Sequence, residues 1–388
     1  MRRIAALLPA LALALLAAVT VPADAQPPRS GQRGGAVHDE LSPRVQGSTG
    51  LYITGPFIRG RGAAGLIRTL RAAHMDTAVI DFKDAQGRVH HDSSIPELQD
   101  QETGMLGDTA QLIRDLHAAN IHTIARIVCF NDPVLPDRFP DRAILDLRAH
   151  RRGRTRTWTS WGTGSPWLDP WDPQNHDLVI ALSREAEALG FDEIQLDYIR
   201  FPVDDGIPFA HYPDERTDVR RRDLLHGLLA RIDEAVSIPL GVDVFGIQAY
   251  WPGDESGLGQ DLELWTDHVD VFTPMLYLNA MTEWEVGTPN RAQRLVQIGI
   301  QRMRERMGPT PVIRPFLQAF EQGSEDWGPR FIANQIRGAR QGGADGFLFW
   351  HPGSNYGTVM RAMQGPAHSL APFPIPEERT RARSALGG

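Results

Sequence analysis

The order of apolar segments predicts a (β/α)8 TIM barrel, an α/β fold in a single domain with a long loop after the third strand. Eight short β-rich segments punctuate the chain, at 51–55, 77–84, 122–130, 193–201, 239–246, 270–277, 312–320 and 346–351. Between them run stretches with apolar residues at helical spacing, such as Leu112-Ile113-Leu116 and Leu224-Leu225-Leu228-Leu229-Ile232, with charged residues on the opposite face. Strand then helix, eight times over, is the arithmetic of a parallel barrel. A doubly wound open sheet uses the same alternation. However, no G-x-G-x-x-G turn follows the first strand, and polar side chains recur within the strands, as inward positions near a barrel mouth do. Asp108 and Asp172 stand where helix N-caps are needed, and Gly190 and Gly343 where helices must close.

The ends differ from this pattern. Arg2 and Arg3 precede an apolar run from Ile4 to about Val21 that closes on Ala23-Asp24-Ala25, the order of a secretory signal peptide cleaved after Ala25. Residues 1–25 are therefore expected to direct export, to the periplasm or beyond the cell. Residues 26–50 and 365–388 are rich in Gly, Pro, Ser, Arg and Gln and are expected to be a flexible leader and tail around a barrel domain at 51–364. That domain, roughly 315 residues long, is an ordinary size for a barrel with long loops. No other apolar stretch is long enough to span a bilayer, so no stable membrane insertion is expected after cleavage. Cys129 stands alone, which excludes an intramolecular disulfide and leaves stability to the core. A net charge of -8, with both signs interspersed, gives no general attraction to nucleic acid. The local exception is a basic run of Arg148, Arg151, Arg152, Arg154 and Arg156, which as a rule is a solvated loop.

Chemistry concentrates on the fourth and fifth segments. Side chains alternate along a strand, so Glu193, Gln195 and Asp197 share one face while Ile194, Leu196 and Tyr198 share the other. The apolar set should meet the helices, leaving the acids inside, with Asp197 toward the carboxyl end where barrels place catalytic groups. The same alternation turns Gly241, Asp243 and Phe245 inward on the neighbouring strand. Two carboxyl groups facing one cleft suit cleavage of a glycosidic bond, which needs one proton donor and one negative charge at the sugar carbon. Their proximity pushes their pKa values apart. The competing reading ties these carboxylates to cations. Lys83 and Arg126 are inward-capable, and a ladder of Asp81, Lys83 and Arg126 could simply lock the interior, Lys83 otherwise gripping a substrate hydroxyl. Glu283, Glu285 and Glu321, in rim loops, are reserves for the proton donor.

Aromatic residues surround the expected mouth. The longest connection, 131–172, carries Trp158, Trp161, Trp167 and Trp171, which either stack on sugar rings or pack the loop onto the barrel. Arg200, Tyr277, Gln318, Trp350 and His351 close other strands, and with Gln195 complete the residues expected to meet substrate. His90-His91-Asp92 is a weak metal signal, since adjacent residues on an extended chain point opposite ways. H-E-x-x-H, C-x-x-C and phosphate-cradling glycine loops are absent.

With these segments in view, the chain resembles a bacterial family of exported putative glycoside hydrolases, barrel proteins distantly similar to the α-amylase-like glycosidases. The likeness rests on Tyr52-Ile53-Thr54-Gly55, Val79-Ile80-Asp81-Phe82-Lys83-Asp84, Ile124-Ala125-Arg126-Ile127-Val128, Trp167-Leu168-Asp169-Pro170, the long block from Gly190 to Pro202, and Asp243-Val244-Phe245-Gly246. It implies a TIM barrel, a polysaccharide or oligosaccharide substrate, and a nucleophile at Asp197. The fifth-strand acid of amylase-like enzymes is usually Glu, where this chain has the shorter Asp243. The expectation is a glycosidase acting through Asp197 and Asp243 with no metal or organic cofactor. Its alternatives are a catalytically silent glycan-binding barrel and, less favoured, a metal-dependent polysaccharide deacetylase.

Overall fold

In the computed structural model, the described residues are 41–373 apart from 162–163, 255–256, 282–289, 325, 366 and 371–372. The expected signal peptide, the leader up to residue 40, Glu283, Glu285 and the tail from 374 onward lie outside them. The strands are β1 (Thr49–Ile53), β2 (Thr77–Lys83), β3 (His122–Val128), β4 (Glu193–Asp197), β5 (Leu240–Phe245), β6 (Val271–Met275), β7 in two pieces (Val312–Ile313 and Phe316–Gln318) and β8 (Phe347–Trp350). Each is parallel to its neighbours, and β7 bridges β6 and β8 through Phe316, which pairs with Met275 and Leu348. With β8 also paired to β1, the sheet closes on itself, which excludes the open doubly wound alternative. β7 breaks at Arg314-Pro315, where proline brings no N–H to the ladder.

The barrel helices are α1 (Gly55–Ala72), α2 (Thr109–Ala118), α3 (Pro173–Ala188), α4 (Arg221–Asp233), α5 (Leu262–Trp265), α6 (Arg291–Met307), α7 (Pro329–Gly342) and α8 (Gly357–Met363), one following each barrel strand, with short extra helices at Leu135–Arg138 and Leu147–His150 in the loop after β3. Asp108 and Asp172 cap α2 and α3, accepting from Gln111 N at 2.9 Å and Gln174 N at 2.7 Å. Gly343 closes α7 in the left-handed conformation. No described helix is long and apolar enough to cross a membrane.

Alternation sorts the strand residues into two cores. Leu51, Ile53, Ile80, Phe82, Ile127, Leu196, Val242 and Val244 face outward and bury against the helices. Tyr52, Val79, Ile124, Phe316 and Leu348 face inward as a smaller cluster filling the barrel. The described residues before the expected Leu51 already pack on the barrel. A short helix, Pro43–Gly47, follows Leu41, and Leu41 and Val45 bury against Val271 and Val312. Two apolar side chains in an otherwise polar stretch are enough to fasten it. At the other end Phe373 packs on Phe347, so the expected tail is not free throughout.

Candidate active site

β4 carries a ladder of inward polar groups. At the amino end Glu193 is fully buried, paired with Arg314 and with His122 Nε2 at 3.1 Å. Burial alone would raise the Glu193 carboxyl, but Arg314 and His122 outweigh it and hold it below its ordinary value. One step up, Gln195 Nε2 donates to Thr273 Oγ1 at 3.0 Å, sealed from solvent. At the carboxyl end, Asp197 Oδ2 accepts from Arg126 Nε at 3.1 Å and Nη2 at 2.5 Å, and Oδ1 accepts from the Tyr198 N–H at 2.7 Å.

Arg126, on β3, ties the upper cluster together. Its Nη1 donates to Asp81 Oδ1 at 2.5 Å, and Tyr52 Oη donates to the other oxygen of Asp81, also at 2.5 Å. Its Nε lies 4.0 Å from Asp243 Oδ2. The two aspartates are thus neighbours across one guanidinium nitrogen, Arg126 Nε. The two are otherwise unlike. Asp197 lines the mouth, whereas Asp243 is sealed, and neither of its oxygens accepts a hydrogen bond among the described residues. Burial, and then the neighbouring Asp197, push the Asp243 carboxyl well above its ordinary value.

Above this cluster opens a cavity of about 330 Å³ lined by Asp197, Arg126, Arg200, Phe245, Tyr277 and Trp350, among others. A second chamber, of about 560 Å³, lies beside Tyr52, Asp81, Asp84 and Arg88, and a third, of about 400 Å³, beside Asn131, Ser165, Trp167 and Asp204. Tyr198 borders all three. Alternation predicts it on the outer face, but β4 ends at Asp197 and Tyr198 takes a positive φ of 53°, which turns it into the mouth. A non-glycine residue in that conformation is strained, and here it stands next to a carboxylate at a strand end. Trp350 stacks on Tyr52 at 5.8 Å and meets Phe320 edge-on at 5.5 Å, giving the mouth an aromatic wall. Gly246 lets the turn after β5 approach β6, because a Cβ there would stand 2.4 Å from Met275 O.

Several expected contacts are not formed. Lys83 does not join the ladder and lines none of the three chambers. The β2–β3 register shifts between Asp81 and Lys83, and the fully buried ammonium donates to Asp132 at 2.8 Å and to Val128 O at 3.1 Å. Gln195 and Gln318 are also sealed, the latter accepting from Leu278 N and donating to the carbonyls of Phe320 and Gln322. Of the loop tryptophans, Trp158 and Trp171 are core, with Trp158 Nε1 donating to Gly206 O at 3.0 Å. Trp167 borders the third chamber, and Trp161 is 60% exposed outside it. His351 folds back to accept from Gly353 N and lines none of the three chambers, and Glu321 points to solvent. Arg200 does reach the mouth. Its guanidinium is enclosed by Phe245 at 4.5 Å, Trp167 at 4.7 Å and Tyr198 at 5.1 Å, and burial lowers its pKa.

Asp81, Asp84 and His90 offer atoms within 4.8 Å of one another, the convergence a metal site needs. Each carboxylate oxygen is already occupied. Arg126 and Tyr52 fill Asp81, while Arg88, His90 and the N–H groups of Gln86 and Arg88 fill Asp84. A cation here would have to displace two guanidinium groups, so the donor set fits an ion-paired turn rather than a metal centre. His90 and His91 diverge as adjacent residues should, the latter pairing with Glu185 at 2.7 Å and stacking on Phe82 at 3.6 Å.

Solved structures share the architecture. The PgaB (BpsB) glycoside hydrolase domain from Bordetella bronchiseptica matches over 83% of this chain and 97% of its own, with a TM-score of 0.54 and 15% identity. Alpha-L-fucosidase isoenzyme 2 from Paenibacillus thiaminolyticus matches 83% of this chain and 48% of its own, with a TM-score of 0.52 and 14% identity. At these identities the likeness shows the fold alone. No curated protein sequence matches the chain. The family described as putative glycosyl hydrolase domain matches residues 50–356, and the chain belongs to it.

Proposed function

We propose that the protein is an exported glycosidase that hydrolyses O-glycosidic bonds in a polysaccharide, with Asp197 as the attacking or charge-stabilising carboxylate and Asp243 as the proton-holding carboxyl. The observation that carries this reading is the contrast across Arg126. One carboxylate accepts hydrogen bonds at the cavity wall, while its neighbour is buried, unpartnered and raised in pKa. Environments that drive two adjacent carboxyls apart are how such sites divide acid from base. In the forward step the glycosidic C–O bond breaks, the leaving oxygen takes the proton held by Asp243, and Asp197 bonds to or steadies the sugar carbon. Water then donates a proton back to Asp243 and supplies the new hydroxyl. Because Asp243 stands behind the cavity wall, its proton crosses by a bound water or by carboxyl rotation once a sugar fills the mouth. Trp350, Tyr277 and Phe245 supply apolar faces for the sugar rings.

The sealing of Asp243 also favours a second reading, a glycan-binding barrel whose acids only hold Arg126. One experiment separates the two: purified protein is incubated with a polysaccharide panel and the products are weighed by mass spectrometry. The glycosidase reading expects oligosaccharides from the wild type and none from Asp197→Asn or Asp243→Asn. Full activity in both variants refutes the assignment, and binding without products supports the silent barrel.

A further inference from the structure

Arg200 is a cation with no adequate partner. It is 5% exposed, walled by three aromatic rings, and its nearest carboxylate, Asp204, stands 3.9 Å away, beyond hydrogen-bond reach. Among the described residues its hydrogen-bond acceptor is the Phe201 carbonyl, at 3.0 Å. Arg200 lines both the main cavity and the third chamber, and the one bond to Phe201 leaves most of its five N–H donors for a molecule held there. A buried guanidinium without a tight counter-ion is costly unless a ligand brings the anion.

A second cationic feature lies beyond the third chamber. Ser165, on that chamber's wall, belongs to the same hairpin as Trp161, closed by the bridge between Thr159 and Pro166. Trp161 stacks on Phe209 at 5.3 Å and lies flat over Gly206, where any Cβ would stand 2.8 Å from the indole. Arg148 covers Phe209 at 4.3 Å. Arg151, Arg152, Arg154 and Arg156 follow, all exposed and without an ion pair among the described residues. Arg148 itself pairs with Asp146 at 3.1 Å, and an apolar platform whose Trp161 shares a loop with four further exposed guanidinium groups is suited to a polymer with both flat sugar faces and negative charge.

We propose that the polymer is a carboxylated, uronate-type polysaccharide, with one carboxylate held by Arg200 in the cleft and neighbouring sugars laid along the Trp161–Phe209 platform and its arginine lip. The inference rests on the glycosidase reading for what happens to the polymer, but not for its binding. The test uses the full chain carrying Asp197→Asn, so that nothing is cleaved. Binding of polygalacturonate, alginate and hyaluronate is measured by calorimetry against the carboxyl-reduced, neutral form of each.

At least one charged polymer should bind about tenfold or more tightly than its neutral form, the gap narrowing with added salt. Adding Arg200→Gln should remove about tenfold of that preference, weakening the charged polymer about tenfold more than the neutral one. Changing the four exposed arginines to serine should weaken the polymer but not a trisaccharide of the same uronate. This second variant alters only solvent-facing residues and so remains interpretable if Arg200→Gln misfolds. Equal binding of charged and neutral forms overturns the inference, as does equal affinity for a DNA duplex with no effect of Arg200→Gln. Charge-dependent binding by a wild type that cleaves none of the polymers leaves this inference standing and removes the glycosidase reading. Cleavage confined to neutral polymers does the reverse.

Discussion

Glu193 and Asp197 lie on one strand, four residues apart, each buried inside the barrel and each beside an arginine, yet their surroundings differ. At the floor both oxygens of Glu193 are taken, by Arg314 and His122, and Arg314 also donates to Ser48 Oγ at 2.5 Å. At the lip one guanidinium is shared among Asp81, Asp197 and Asp243, and Asp243 is left without a hydrogen bond. At the floor the unmet group is a donor, Arg314 Nε, and every carboxylate oxygen is satisfied, whereas at the lip the unmet group is a carboxyl beside a cavity, the kind of perturbed group that clusters at functional sites. Residue type alone does not separate the two clusters, but the unmet oxygens of Asp243 do.

The largest effect should come from the lip. Asp197→Asn should lower the rate on any polysaccharide the wild type cleaves by about 10⁴-fold, some 5 kcal/mol of transition-state stabilisation. Its urea unfolding midpoint should fall less than that of the floor variant described next, because Arg126 keeps Asp81, and an equal loss of stability would show that Asp197 is structural after all. The floor should behave in the opposite way. Arg314→Met strands Glu193 without its cation and should cost about 3–5 kcal/mol in denaturant unfolding, with Glu193→Leu in the same chain recovering part of it. A stable single variant would erase the distinction between the two clusters.

A smaller effect sharpens the comparison through pH. The Asp243 carboxyl is raised on folding, so the folded state holds a proton that the unfolded chain gives up above about pH 4. Wild-type stability from this group is therefore full below that pH and is lost as pH rises toward the folded pKa. Asp243→Asn should gain on the wild type over this range, by up to about 1.4 kcal/mol per pH unit, in unfolding curves taken at successive pH values. A constant difference would mean that Asp243 does not hold its proton. Least of all, Trp161→Ala should change stability by no more than about 0.5 kcal/mol, because the side chain is 60% exposed.

The barrel was legible because period-two alternation and helical spacing write the two faces of every element into the chain. The same rule turned Asp197, Asp243 and Phe245 inward correctly. It failed where the backbone leaves the regular strand. The positive φ of Tyr198 brings a residue of the outer face into the mouth, and the register shift after Asp81 carries Lys83 away to Asp132. Asp132, which cancels Lys83, stands in a loop where no periodicity points to a partner. Trp158 and Trp161 share one loop and one residue type. Only tertiary packing, over Gly206 O for the first and over Phe209 for the second, makes one core and the other surface.

The division of labour between the two upper aspartates is most directly read from infrared difference spectra at neutral pH, wild type minus Asp243→Asn. A protonated-carboxyl stretch that vanishes with the Asn replacement and persists in Asp197→Asn is the predicted result. Loss of a carboxylate band instead, with no protonated carboxyl in the difference, would contradict it.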